Sequence, residues 1–433
     1  MINFFLEKNS HVPLYKQLGD AIIEKINRDE YSSDERLPAI RVLAASLNVN
    51  NTTVVGAYRY LEQKRAVYSV RGSGTYVSQK SKIENVPFSV SEDCINFAST
   101  AINPAFFPTE EFRASFDAVL ARDGAGAFAL GDLKGYAPLR EIFSEKFNFK
   151  FENVHIISDV NHTLNIIIEK LISPGDAVVL ESPGSQNVAA MVASRGAKIL
   201  QTPLGGNGLD IERVYFFAKK YKPKIFFLTP TFQTPTGLCY TEKTKTRLLE
   251  LAHNLNAYII EVDSFGDFYY GVKPTPLAAT DAHDRVIYIK NFDRVLTTGL
   301  PGFMICNLNL ETGGASGYIQ RGLDFYLRNR DFESHSAKIR GNYSRIYRRT
   351  IAVAEKFLSP YASFIKPEGG LSLWINAKKD FSNDFLARKV LVSPGKLYSS
   401  NNETCFRLSF ANVTPDDISK GIGIVASILQ GNG

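Results

Sequence analysis

A short run of polar residues near the amino terminus could hydrogen-bond a nucleic acid. Asn51, Thr52 and Thr53 follow one another at the start of a segment with helical character. Amide and hydroxyl groups at a helix N-terminus can bond base edges, and the free backbone amides there attract phosphate. Farther along, Arg71 precedes Gly72 in RGSGTYV, so a cation is predicted at the tip of a tight hairpin. These residues predict one surface that contacts both bases and backbone of a duplex.

Basic residues are concentrated around these positions. Between residues 41 and 80, six lysines or arginines stand against one glutamate, a local net charge of +5, whereas the whole chain of 433 residues carries +6. Charge spread thinly over a large surface has little power to attract an anion, but charge gathered on a small domain has more. The distribution therefore predicts double-stranded DNA as a partner.

Hydrophobic periodicity predicts the elements that hold these residues. In PLYKQLGDAIIEKINRDEY, apolar residues recur with a helical period at Leu14, Leu18, Ile22 and Ile26. Two further helices are predicted over 39–47 and 52–64, joined by a turn at 48–51, with Asn50 or Asn51 as the N-cap of the second. Two short helices around a tight turn form a helix-turn-helix, and the hairpin after them supplies a wing.

Motifs in this region resemble those of the GntR family of transcriptional regulators. The segments LPAIRVLA, TTV, AYRYL and GSGTYV occur in that order. The resemblance implies that Arg41, the run from Asn51 to Thr53, Arg71 and Gly72 contact DNA. Asn51 stands where the family usually has arginine, and asparagine pairs most naturally with adenine whereas arginine pairs with guanine. The alternative for this segment is a basic helical hairpin that contacts another protein.

A polar stretch divides the chain into two parts. Residues 78–93 show no sustained period and predict a linker, which leaves a winged helix-turn-helix domain at 1–77 and a large domain at 94–433. Strands are predicted in NVHIISDV, DAVVLESP, KIFFLTP, AYIIEVD and VIYIKNF, and helices in segments such as HTLNIIIEKLI and KTRLLELAHNL. This alternation predicts an α/β domain with a mainly parallel sheet.

Four segments of the large domain resemble fold-type I aminotransferases, especially the MocR subgroup, in which such a domain follows a GntR head. They are GDLKGYAPLR, ISPGDAVVLESPG, TPTFQTPTG and FRLSFANV. The resemblance implies that the family cofactor is pyridoxal 5'-phosphate, that Gln233 and Thr234 lie near a bound ligand, and that Arg407 holds an α-carboxylate. Arginine suits that task because its planar guanidinium group can donate two parallel hydrogen bonds, one to each carboxylate oxygen. The alternative for Arg407 is an ordinary surface or interface arginine.

Residues that the cofactor's chemistry needs are replaced. Covalent catalysis needs a lysine amine for the imine and an acid beside the pyridine nitrogen. By resemblance, the lysine position is Arg294, the acid position is Val262 and a tyrosine position is Ser264. A guanidinium stays protonated at ordinary pH and cannot be that nucleophile. The nearest lysine, Lys290, is four residues away, roughly 13 Å along an extended strand, and Asp263 would point to the face opposite Val262.

The remaining cofactor contacts are altered as well. Asp159 and Asn161 stand in the segment that resembles the phosphate cup, Pro301 stands where the family has an arginine, and Ser185 replaces the aromatic residue that covers the ring. An aspartate at that place would repel a phosphate dianion, which needs cations and amides. The sequence therefore predicts no internal aldimine, weak noncovalent binding of the cofactor at most, and a catalytically inactive domain.

Together these features predict a cytoplasmic, DNA-binding transcriptional regulator. Its large domain is expected to form a homodimer, with the Arg- and Tyr-rich segment 318–349 at the interface, and to sense a small carboxylate-bearing metabolite. Two alternatives stay open: a pyridoxal-phosphate aminotransferase or cofactor-responsive regulator with a working site, and a dimerisation scaffold without a ligand. Four widely spaced cysteines predict neither a metal site nor a disulfide framework, and no segment has the pattern of a signal peptide or a membrane span.

Overall fold

A computed structural model describes most of the chain. The described residues are 6, 12–27, 30–31, 35–64, 66–70, 74–77, 94–129, 131–292, 294–297, 299–312 and 315–431. The chain divides into two compact units, residues 1–89 and 90–433. The predicted linker 78–93 lies outside the described residues, so the predicted domain boundaries stay a prediction.

The first unit contains three helices followed by a hairpin. Its elements are α1 (Leu14–Asn27), α2 (Ile40–Leu47), α3 (Asn51–Gln63), β1 (Val67–Val70) and β2 (Gly74–Val77). The two strands pair antiparallel, with Val67 opposite Val77. The predicted helix-turn-helix is therefore present, and the hairpin after it forms as expected, while the predicted tip residues Arg71 and Gly72 lie outside the described residues.

A small apolar core holds these helices together. Leu18 and Ile22 of α1 pack in one buried cluster with Val54 and Leu61 of α3, because their helical spacing places them on facing sides. A Cβ atom on Gly56 would lie only 3.1 Å from the Cβ of Tyr15, closer than side chains normally approach. This glycine therefore lets α1 and α3 pack closely, which positions the start of α3.

The second unit is built on an eight-stranded sheet and a smaller four-stranded one. Its strands are β3 (Ile95–Asn96), β4 (Val154–Ile157), β5 (Ala177–Ser182), β6 (Lys198–Gly205), β7 (Gly208–Leu209), β8 (Ile225–Leu228), β9 (Tyr258–Asp263), β10 (Val286–Lys290), β11 (Gly302–Ile305), β12 (Ser363–Phe364), β13 (Ser372–Asn376), β14 (Val390–Leu391), β15 (Ser393–Pro394) and β16 (Cys405–Ser409). Its helices are α4 (Thr109–Asp123), α5 (Ala137–Phe147), α6 (Val160–Leu171), α7 (Gln186–Ser194), α8 (Ile211–Tyr221), α9 (Glu242–Leu255), α10 (Gly317–Asn329), α11 (Phe332–Phe357), α12 (Ser382–Ala387) and α13 (Pro415–Leu429).

The large sheet is mainly parallel, as the sequence predicts. Its strand order is β4, β11, β10, β9, β8, β5, β6, β7. Strands β10, β9, β8, β5 and β6 run parallel, while β11 runs antiparallel to both of its neighbours and β7 antiparallel to β6. All five predicted strands form, because their unbroken apolar runs suit strands covered on both faces.

The alternation of side chains along the strands decides which residues can reach a site. Val262 and Ile289 share one buried cluster with Leu164 of α6. Their strand neighbours Asp263 and Lys290 point to the opposite face of the sheet, where they lie directly across from each other in the β9–β10 pairing. In sheets of this kind, ligands bind at the carboxyl edge of the strands, where helix N-termini also gather.

Candidate functional site

The start of α3 exposes the residues predicted to read DNA. Asn50 is the N-cap of α3, and its side chain accepts a hydrogen bond from the backbone amide of Thr52. Asn51 and Thr52 are exposed, and Thr53 is half-buried. Arg41, in the first turn of α2, is exposed as well. Capping by Asn50 leaves the Asn51 and Thr52 side chains available to a groove, as a recognition helix requires.

A cavity of about 310 Å³ lies at the carboxyl edge of the large sheet. Its walls come from the ends of β4, β9 and β10 and the start of α6. The lining residues are Ile157, Ser158, Asp159, Val160, Asn161, Ser264, Asn291, Arg294, Gly299, Leu300 and Gly302. Four positions predicted from the family cofactor site, Asp159, Asn161, Ser264 and Arg294, therefore line one cavity.

The other predicted cofactor positions have different surroundings. Pro301 is buried between two lining residues. Val262 is buried against α6 in the apolar cluster of that face. Ser185 lies at the N-cap of α7 and accepts a hydrogen bond from the backbone amide of Val188. None of these three side chains brings a charge to the cavity.

Asp159 caps α6 with its own carboxylate. Its side chain accepts a hydrogen bond from the backbone amide of His162 at 2.8 Å. Helix N-termini attract anions because their first amides have no partner within the helix. In this protein the carboxylate of Asp159 already accepts a hydrogen bond from one of these amides. A second anion at the same end of α6 would therefore be repelled by Asp159.

Lys290 forms a buried ion pair on the face of the large sheet opposite to Val262. Its Nζ lies 3.0 Å from a carboxylate oxygen of Asp263 and 2.9 Å from one of Asp267. The hydroxyl of Tyr288 donates a hydrogen bond to Asp263 at 2.6 Å. Burial alone would lower the pKa of Lys290, but the two carboxylates outweigh it and raise that pKa. The amine is therefore held protonated, the opposite of what an imine-forming lysine needs.

Arg407 is buried, and none of its hydrogen-bond partners among the described residues is acidic. It lies on β16 with its side chain hydrogen-bonded to neutral groups, the carbonyl of Ala98 at 2.7 Å and the hydroxyl of Ser393 at 3.0 Å. Its Nε has no hydrogen-bond partner among the described residues. Burial lowers the pKa of Arg407, Tyr398 opposes this effect, and the positive charge of Arg294 adds to the lowering. A buried cation in this state would be stabilised by an added anion.

Arg294 is anchored on the same short segment as Arg407. Its Nη1 donates to the carbonyl of Thr100 at 3.0 Å, and its guanidinium lies 5.7 Å from the centre of the Phe265 ring. The segment from Ala98 to Thr100 thus receives both guanidinium groups. Each arginine is predicted separately from its own motif, and no sequence pattern indicates that the two are neighbours.

A buried glutamate organises the loop that carries Gln233 and Thr234. Glu181 accepts hydrogen bonds from the backbone amide and hydroxyl of Thr229, from the hydroxyl of Tyr240 and from the Gln233 amide. Gln233 also donates to Pro183 and accepts from Thr236. Burial raises the pKa of Glu181. The Gln233 side chain thus ties the loop to the end of β5, whereas Thr234 is half-buried. Glu181 was not among the site residues predicted from the sequence.

Comparison with known families matches both units. The profile of "Bacterial regulatory proteins, gntR family" matches residues 14–77. The profile of "Aminotransferase class I and II" matches residues 92–295. The chain is a GntR-type regulator fused to an aminotransferase-like domain. Among the described helices, none has the length and apolar content that a membrane span requires.

Relatives with the names of transcriptional regulators match this chain over nearly its whole length. The chain is 24% identical over 465 residues to "Uncharacterized HTH-type transcriptional regulator YdfD" of Bacillus subtilis (strain 168), with 96% of both chains covered. It is 23% identical to "Probable rhizopine catabolism regulatory protein MocR" of Rhizobium meliloti, covering 98% of this chain and 95% of that one. The predicted combination of a GntR-type domain with an aminotransferase-like domain is confirmed, and similarity to regulators that include MocR agrees with it.

Solved aminotransferases share the fold of the large unit. LysN, the alpha-aminoadipate aminotransferase of Thermus thermophilus, was solved with N-(5'-phosphopyridoxyl)-L-leucine and superposes with a TM-score of 0.74. The match covers 79% of this chain and 93% of LysN at 23% identity. The predicted aminotransferase fold is thus confirmed. Pyridoxal phosphate is the cofactor of this fold family.

Proposed function

We propose that the large domain of this DNA-binding regulator is catalytically inactive and binds a small carboxylate without covalent chemistry. One observation carries the proposal: the cavity at the predicted cofactor position contains Arg294, and the neighbouring lysine is buried in an ion pair. A guanidinium cannot form the imine, and Lys290 is held protonated by Asp263 and Asp267 on the other face of the sheet.

The residues around the cavity do not fit pyridoxal phosphate. Asp159 places a carboxylate on the α6 amides that would otherwise attract its phosphate. Val262, at the position where the family has an acid, is apolar and buried. Asp263 does not replace it, because its carboxylate is on the opposite face with Tyr288 and Lys290. The domain is therefore proposed to carry out no reaction step through this cofactor.

Arg407 is the group proposed to hold the effector. A carboxylate would bond its Nε and remove the cost of an unpaired buried cation. Arg294 adds a second positive charge, and Thr234 is the proposed polar contact from the loop held by Glu181. Gln233 is proposed to hold this loop in place rather than to contact the ligand, because its side-chain amide already bonds Glu181, Pro183 and Thr236.

The first unit is proposed to read a two-fold DNA site as part of a homodimer. The residues proposed to contact DNA include the exposed Arg41, Asn51 and Thr52 and the half-buried Thr53. Arg71 and Gly72, which lie outside the described residues, complete the proposed set. A symmetric dimer presents two such helices, so its operator should be an inverted repeat. The dimer is proposed to form through the large domains, with helices α10 and α11 in the interface.

Selection of bound DNA followed by ligand titration tests this function. The full-length protein selects its operator from random duplexes, and a thermal-shift screen of amino acids and other carboxylates then identifies a ligand. That ligand is expected to change operator affinity, because two sites on one protein are linked reciprocally. Arg407→Gln should abolish the thermal shift and keep DNA binding. A screen in which only pyridoxal phosphate stabilises the protein would contradict the proposal.

A further inference from the structure

We infer that Arg294 and Arg407 together form a two-cation clamp that selects a ligand with two carboxylate groups. The inference rests on the proposed function and specifies its ligand class. Arg294 stands at the predicted lysine position. There it cannot form an imine, and its proposed role is to bind the second anionic group of the ligand.

Arg407 is buried and lacks a charged partner among its identified acceptors. This side chain is 8% exposed, and its identified acceptors are the Ala98 carbonyl and the Ser393 hydroxyl. Dipoles compensate a buried charge less well than a carboxylate does, and its Nε has no partner among the described residues. One ligand carboxylate would complete this site.

Arg294 is anchored close to Arg407, because both side chains donate to carbonyls of the segment from Ala98 to Thr100. Ala98 accepts from Arg407 and Thr100 from Arg294, and the Cα atoms of residues two apart are at most about 7 Å from each other. The two charges are close enough for Arg294 to lower the pKa of Arg407. Two neighbouring positive charges repel each other. A ligand anion that contacts both guanidinium groups would compensate the buried charge of Arg407 and weaken this repulsion.

The charges that face the cavity locate the second carboxylate. Asp159 lines the end of the cavity at α6, and Arg294 is the cationic residue among the described lining residues. A ligand carboxylate is therefore repelled from α6 and attracted to Arg294. A ligand that is neutral at this second end would lose the attraction to Arg294. The clamp thus favours dicarboxylates over their monoamides of nearly equal size.

Calorimetry with matched pairs of ligands tests the clamp. Malonate, succinate and glutarate are each titrated into the full-length protein beside their monoamides, at fixed ionic strength. The best dicarboxylate should bind at least about tenfold more tightly than its monoamide, because the lost contact is a charge-assisted one. Trp374, the single tryptophan, lies opposite Arg407 in the β13–β16 pairing and provides a fluorescence readout.

Three variants make the result specific. Arg294→Gln should bind dicarboxylate and monoamide alike, and Arg294→Lys should keep part of the preference because it keeps a charge. Arg195→Gln is the matched control, since Arg195 pairs with Glu169 near the far end of α6, about 15 Å from Asp159. It should behave as the parent protein does.

The outcomes separate this inference from the function on which it rests. Equal affinity of the parent protein for dicarboxylate and monoamide, with both lost in Arg407→Gln, would overturn the clamp and leave carboxylate sensing intact. A preference that survives unchanged in Arg294→Gln would also overturn it. Absence of binding for all six compounds would count against both the clamp and the proposed carboxylate effector.

Discussion

Replacing Lys290 by methionine separates a structural lysine from a catalytic one. The change leaves the carboxylates of Asp263 and Asp267 without their shared cation, and the Asp263 side chain is only 6% exposed. Removing one partner of a buried ion pair costs about 3–5 kcal/mol, because the remaining charge is stranded. We therefore expect Lys290→Met to lower the free energy of unfolding of the large domain by about that amount.

Urea unfolding followed by Trp374 fluorescence measures this loss. Trp374 is buried on β13, so its emission reports the second unit even if the two units unfold separately. Adding Asp263→Asn to Lys290→Met should recover part of the stability, since it removes the stranded charge. The double variant is thus the control against a simple packing defect.

The pH dependence of the difference supplies a second signature. Burial raises the pKa of Asp263, but the charge of Lys290 and the hydrogen bonds from Lys290, Tyr288 and the Gly266 amide together outweigh burial and lower the folded-state pKa. A lowered carboxyl pKa contributes stability above its unfolded value near about 4, and that contribution is lost as the pH falls through the folded value. The stability gap between parent and Lys290→Met should therefore be widest near neutral pH and shrink in acid. A gap below about 1 kcal/mol at pH 7 would refute the ion-pair role.

Three further predictions concern DNA, oligomeric state and the cavity. Arg41→Ala and Arg71→Ala should each weaken operator binding by about 1–3 kcal/mol at matched salt, measured by fluorescence anisotropy, and unchanged affinity in both would refute the orientation of the module. Light scattering at micromolar concentration should show a dimer, and a monomer would contradict the proposed interface. Asp159→Ser should keep the α6 cap yet raise phosphate affinity by about fivefold, since a screened like charge costs about 1 kcal/mol; unchanged phosphate affinity would show that Asp159 does not repel anions from the cavity.

The DNA-binding unit was predictable from local sequence because its elements depend on local signals. Apolar spacing gives the helices, and polar residues between them give the turn. The second helix begins at Asn51 rather than Thr52, because Asn50 is the residue that caps it. Two adjacent asparagines have the same capping chemistry, so the sequence alone left this choice open.

In the large domain, strands were predictable and side-chain partners were not. Apolar runs identify β9 and β10, but the pair formed by Asp263 and Lys290 depends on their register across 27 residues of chain. The same holds for Glu181, whose partner Tyr240 lies 59 residues away. Pattern and propensity carry no information on such pairings, which follow from the packed topology.

The candidate site shows the same division. The resemblance identifies Arg294 and Arg407 one at a time, from separate motifs. Their proximity becomes visible only through Ala98 and Thr100, in a segment to which the sequence analysis assigned no role. Asp159 was predicted to repel phosphate, and its hydrogen bond to the His162 amide gives a structural reason for a carboxylate there.

The most direct test of the central claim is chemical trapping of an imine. The full-length protein is incubated with pyridoxal phosphate, treated with borohydride, digested, and its peptides are identified by mass spectrometry. Reduction fixes any imine as a stable pyridoxyl adduct, so the lysine that forms it is read directly. A domain with Arg294 in the cavity and Lys290 held by two carboxylates should yield no stoichiometric adduct. A one-to-one adduct on Lys290 would contradict this account and support a working cofactor site.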